Sequence, residues 1–313
     1  MRRAGQAPPT VRPTLGHVPP PTESRTGVPS LGVAVALVMV GIASVQLGAG
    51  FAKTLFDEVS PTGIVWLRLA TSTVVLLLVV RPRWRGRSRA DWVTVAGFGV
   101  SLGLMNWAIY QSFARIPIGV AVTIEFIGPL LLAAVGFRRA RDLAWVGLAA
   151  LGVVLLGFER SSLDPIGVAF ALLAGAAWAG YILLSAGTGR RWEGLDGLAF
   201  ASLVAVCLLS PALALTDAGE LIDTRILLIG AAVGLLSSVV PYSAEMVALR
   251  RLPAATFGVL MSLEPAAAAL AGLVVVGEQL HGVQWVAIGC VVVASIGATR
   301  ATRRPVPAEM LPT

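Results

Sequence analysis

Residues 241–280 read PYSAEMVALRRLPAATFGVLMSLEPAAAALAGLVVVGEQL. An Arg-Leu-Pro turn at Arg251, Leu252 and Pro253 opens an apolar run that Glu264-Pro265 interrupts and Gly277-Glu278 closes. A weaker copy lies 136 residues earlier: Arg115, Ile116 and Pro117 open a second run, in which Pro129 follows Pro117 as Pro265 follows Pro253. Two segments related in this way mark a chain built by internal duplication. The remainder reads as the two scaffolds that carry them.

The scaffolds are apolar. With 56% hydrophobic residues, 13% charged residues and a mean hydropathy of +0.82, the 313-residue chain lacks the charged surface a soluble globule needs. Ten runs approach the roughly 20 apolar residues that span a bilayer: 31–51, 60–80, 91–112, 117–137, 142–158, 165–187, 195–215, 225–248, 254–276 and 281–299. Short polar connections such as Val59-Ser60-Pro61 and Leu163-Asp164-Pro165 join them. Residues 1–30 are rich in Pro, Ser, Thr and Arg without apolar periodicity, which predicts disorder and excludes a signal peptide. Residues 300–313 form a similar tail. Cys207 and Cys290 sit in apolar runs as small packing residues.

The cations set the orientation. With the N-terminal tail in the cytoplasm and sides alternating, nineteen of the 24 basic residues fall on the cytoplasmic side. Only Lys53, Arg115, Arg160 and Arg225 fall outside, among acids such as Asp57, Glu58, Asp164 and Glu278. This bias accounts for the sequence pI of about 10.6 without nucleic acid. It predicts ten crossings with both ends inside. Five spans per half is odd, so residues 161–299 enter the membrane inverted relative to residues 31–160. The expected fold is an all-α membrane protein of ten transmembrane helices in two inverted five-helix repeats.

Polar groups at membrane depth are costly, and each is a functional candidate. Arg68 lies within PTGIVWLRLATSTVVLLLVV, either pairing two helices or holding a carboxylate substrate. Glu125 is mid-span, and Glu264 directly precedes Pro265. Low dielectric disfavours the charged form of a carboxyl group. Both glutamates are therefore candidate proton carriers, with a hydrogen-bonded kink residue as the alternative for Glu264. Tyr242 and Glu245 share a helical face, as do Asn106 and Tyr110, and the 136-residue offset pairs Asn106 with Tyr242. Such groups suit an ammonium and a side-chain hydroxyl, or else bond helix to helix. The repeats Gly99-x-x-x-Gly103 and Gly230-x-x-x-Gly234 read as close-packing sites, and Trp66 and Trp178 are deep enough to line a path.

The stretches GVSLGLMNWAIYQSFARIPIGVAVTIEFIGPLLLA, AGAAWAGYILLSA and PYSAEMVALRRLPAATFGVLMSLEPAAAALAGLVVVGE carry a resemblance. The chain resembles the EamA-type branch of the drug/metabolite transporter superfamily, most closely its threonine/homoserine exporter subgroup, over residues 31–299. The resemblance implies two inverted EamA repeats, termini inside, and export of small amino acids across the bacterial cytoplasmic membrane, with proton coupling. It supplies no residue signature, so the site list rests on the intramembrane polar groups. The first repeat departs from the second: Gly128 stands where the second has Glu264, and Glu278 has no glutamate counterpart.

The alternative within the superfamily is a carrier of another metabolite or drug, since the fold does not set the substrate; a non-transporting membrane protein and other classes fit less well. No G-x-x-x-x-G-K-[ST] loop exists for ATP, which disfavours an ATP-driven pump. The histidines, His17 and His281, lie in the tail and at a span end, and no nucleophile-base set or metal cluster is in the spans. The sequence therefore predicts no enzyme, cofactor or metal. It predicts a small-molecule substrate, the lipid bilayer and possible protons as partners; one chain can enclose a path, so both monomer and dimer fit.

Overall fold

A computed structural model of the chain describes residues 31–135, 143–157, 163–214, 221, 223–249, 252 and 254–301. Residues 1–30 and 302–313, Arg251 and Pro253 of the Arg-Leu-Pro turn, and the arginines at 138–141 lie outside the described residues, whereas residues 300 and 301, expected in the tail, close the last helix. Among those described there is no strand. The chain runs through α1 (Leu31–Lys53), α2 (Pro61–Val80), α3 (Arg89–Phe113), α4 (Ile118–Glu125), α5 (Ile127–Val135), α6 (Leu143–Gly157) and α7 (Pro165–Gly189). It continues through α8 (Asp196–Ala214), α9 (Thr224–Gly234), α10 (Val240–Leu249), α11 (Ala254–Met261), α12 (Glu264–Ala271) and α13 (Gly282–Ala301). Five-residue π-helical segments, Leu235–Val239 and Gly272–Val276, follow α9 and α12.

Among the described residues, seven helical stretches have the length and composition to cross a membrane, and three shorter apolar ones accompany them. All-helical structure follows from the solvent: hydrocarbon offers no hydrogen bonds, so each segment must satisfy its own backbone. The polar turns of the sequence cap these helices. Ser60 accepts from Gly63 N at 3.1 Å before Pro61, and Asp164 accepts from Ile166 N at 2.9 Å before Pro165. Ser88 and Asp91 form a reciprocal capping box at the start of α3.

Three runs expected as single spans are interrupted, each at a proline. A helical proline has no N–H for the carbonyl four residues earlier. Pro129 leaves the carbonyl of Glu125 free, and α4 ends there, with Phe126 between α4 and α5. Pro265 does the same to Met261, the last residue of α11. Pro241 does it to Ser237, in the middle of the first π-helical segment. The first two breaks are related by the 136-residue offset.

Large apolar side chains point outward, with Val79 and Val274 each 77% exposed. Polar Gln46, Thr73, Asn106, Thr123 and Glu125 are buried. That inversion suits a surface facing lipid. The helix neighbours form mirrored pairs. α3 packs along α7 as α1 packs along α9 and α10; α3 meets α8 as α2 meets α9. α2 on α8 and α6 on α13 are each their own mirror image. The glycine pairs serve this packing: a Cβ on Gly99 would lie 2.5 Å from Ala201 O of α8, and one on Gly234 would lie 3.0 Å from Arg68 O of α2. Cys207 is exposed rather than packed inside, and both cysteines are free.

Candidate functional site

Between the helices is a cavity of about 170 Å³, walled by both halves of the chain. This is smaller than the ~300–1,000 Å³ of pockets for drug-sized ligands and fits a small solute. Arg68, Asn106, Tyr110, Glu125 and Glu264, predicted separately from sequence, all line it. Tyr242 and Glu245 lie on α10 beside the lining residue Pro241; their side chains are outside the described residues.

Arg68 enters from α2 and is held from two sides. Its Nη1 donates to the Tyr110 hydroxyl at 3.3 Å, with the guanidinium 5.4 Å from the centre of that ring. Its Nη2 donates to Ser237 O at 3.4 Å, the carbonyl that Pro241 releases from the helix ladder. Both bonds are long for N–H···O. Nε is buried without a partner, so the five-donor fork keeps capacity for an anion.

Glu125 closes α4 and is 8% exposed; its carboxyl faces the cavity without a hydrogen-bond partner among the described residues. The charged groups acting on it are Glu264 and Arg68. Glu264 opens α12, so the two broken helices bring their interrupted ends to one place. Gly175 permits the crossing that places Glu125: a Cβ on it would lie 2.5 Å from Glu125 O. Asn106 donates to Leu102 O at 2.8 Å within its own helix, which leaves its carbonyl oxygen available. The site thus offers a cation, two carboxyl groups and a neutral amide in a space of small-molecule size. That set can neutralise a zwitterion.

Sequence reasoning missed Gln46, Tyr181, Ser237 and Pro241 in the wall. Gln46 was visible in principle, as a lone amide in an apolar span. Of the two deep tryptophans, Trp178 lines the cavity, whereas Trp66 donates to Ser210 Oγ at 3.0 Å and ties α2 to α8. Gln111, beside Tyr110 in sequence, donates to Thr62 Oγ1 at 3.1 Å instead.

One turn beyond Ala49, the halves are joined again. Lys53 Nζ lies 2.7 Å from Glu278 Oε1 and donates to Ile116 O at 2.9 Å. Glu278 Oε2 accepts from Ile118 N at 2.9 Å, taking an orphan amide at the start of α4. Glu278, whose position at a span exit suggests a solvated cap or loop charge, does cap α4 but is only 11% exposed, because Gly277 at φ 77° turns it back onto the bundle.

A helical bundle with an apolar skin and charged residues lining an internal cavity has the build of a membrane transporter. Residues 165–300 match the EamA-like transporter family. Over 274 residues the chain is 42% identical to the threonine/homoserine exporter RhtA of Escherichia coli (strain K12), covering 86% of this chain and 92% of that protein. It is 41% identical over the same extent to the threonine/homoserine exporter RhtA of Salmonella typhimurium (strain LT2). One solved crystal structure shares the fold, with a TM-score of 0.59 and 20% identity over 86% of this chain and 98% of the other. The chain belongs to the EamA-like transporter family. It is a multi-pass membrane transporter and not an enzyme.

Proposed function

We propose that the protein exports small amino acids, of the threonine and homoserine kind, across the bacterial cytoplasmic membrane. The observation that carries this reading is the shared cavity of Arg68, Glu125 and Glu264. A zwitterion's carboxylate fits the open side of the Arg68 fork, and its ammonium fits the two carboxyl groups. The extent and identity of the match to the two exporters support the same substrate class.

The transport cycle is alternating access around the cavity. Residues 31–160 and 161–299 form two inverted repeats of five crossings each, with both termini cytoplasmic. The mirrored helix neighbours and the matching breaks at Phe126 and Ser262 support the repeat. The basic residues of the cytoplasmic loops support the orientation. Lys53 and Glu278 hold the outer end together while the cavity loads from inside. A proton exchanged at Glu125 or Glu264 couples the cycle to the gradient, since an ammonium and a proton compete for the same carboxylate.

The test is efflux of labelled threonine and homoserine from proteoliposomes. Release well above that from protein-free liposomes, competed by unlabelled substrate, fits the proposal. Release no faster than from empty liposomes rejects it.

A further inference from the structure

Gln46 is 4% exposed, lies on α1 one turn before Ala49, and lines the cavity. Its amide has no hydrogen-bond partner among the described residues, although a buried polar group is normally paired. Several neighbouring neutral groups are already partly engaged. The Tyr110 hydroxyl and the Ser237 carbonyl accept from Arg68, and the Asn106 amide nitrogen donates to Leu102 O. Gln46 therefore brings both an unspent donor and an unspent acceptor into the cavity, beside the single open acceptor of Asn106.

We propose that Gln46 selects substrates by hydrogen-bonding their side-chain hydroxyl. This rests on the amino-acid export reading above and adds the part of the substrate that the charged groups leave unread. Arg68 and the glutamates recognise the backbone groups that every amino acid carries, so they cannot distinguish threonine from valine. Threonine and homoserine share one further feature, a hydroxyl that both donates and accepts, as does the Gln46 amide. An apolar analogue of the same shape would strand that amide without a partner in place of water, which is how a polar site rejects it.

The experiment uses proteoliposomes of wild-type protein and of Gln46→Met, which keeps the length and removes the amide. Labelled threonine exchange is competed by threonine, homoserine, valine and 2-aminobutyrate. The wild type should prefer each hydroxylated member over its apolar partner by about tenfold or more. Gln46→Met should reduce that preference to within about twofold, by weakening inhibition by the hydroxylated members and strengthening inhibition by valine. A wild type that does not distinguish threonine from valine overturns the proposal without any variant. An unchanged preference in a transporting Gln46→Met also overturns it. Wild-type protein that exchanges no amino acid fails the export reading itself, a separate result. Should Gln46→Met not insert, Gln46→Asn, with the amide withdrawn by one methylene, should show an intermediate preference, and wild-type selectivity in Gln46→Asn would overturn the proposal.

Discussion

Lys53 and Glu278, 225 positions apart in sequence, meet at 2.7 Å and between them bind both sides of the turn that opens α4. Glu278 serves as an anion for Lys53 and as an acceptor for Ile118 N. A charge swap cannot reproduce the second role, because lysine has no acceptor. Lys53→Met should lower stability by about 2 kcal/mol, less than the ~3–5 expected for breaking a fully buried pair, since both side chains retain some solvent. The double variant Lys53→Glu/Glu278→Lys should recover little of it. Thermal unfolding of the purified protein measures both; full recovery by the swap would reduce the contact to charge alone.

The crossing that places Glu125 depends on the absence of two side chains. A Cβ on Gly128 would overlap the carbonyl of Gly175, whereas one on Gly147 meets nothing within 4 Å. Gly128→Ala should cost about 1–3 kcal/mol or more, because backbone cannot yield as a side chain can. It should reduce folded protein in the membrane, while Gly147→Ala is neutral. Size-exclusion profiles of the two proteins compare them directly. A normal profile for Gly128→Ala would place α5 farther from α7.

Arg68→Lys keeps the charge and removes the fork. Lysine cannot bond Tyr110 and Ser237 O while presenting paired donors to a carboxylate. Apparent affinity for threonine should fall by about tenfold or more at unchanged membrane level. Competition exchange in proteoliposomes reads this, and wild-type affinity in Arg68→Lys would make Arg68 a structural cation.

Much of this arrangement was legible in the sequence. Apolar runs and turn residues located the helices, and the cost of polar groups in hydrocarbon singled out Arg68, Asn106, Tyr110, Glu125 and Glu264, which share one wall. The prolines were visible too, but not what each released. Only the fold brings Ser237 O, freed by Pro241, against a guanidinium 169 positions earlier. Charge attracted attention to Glu264 and passed over Gln46, whose environment is equally apolar. The place of Glu278 at a span exit is legible in the sequence, but local sequence cannot foresee that Gly277 turns it toward a lysine of the other half.

The most direct test is labelled threonine efflux from proteoliposomes under an imposed pH gradient, comparing wild type with Glu125→Gln at equal protein incorporation. Gln keeps the shape and cannot exchange a proton. Wild-type efflux should accelerate with the gradient, and Glu125→Gln should fall to less than about a tenth of it. Glu125→Gln efflux at the wild-type rate, with the same response to the gradient, would contradict a role for this cavity in transport.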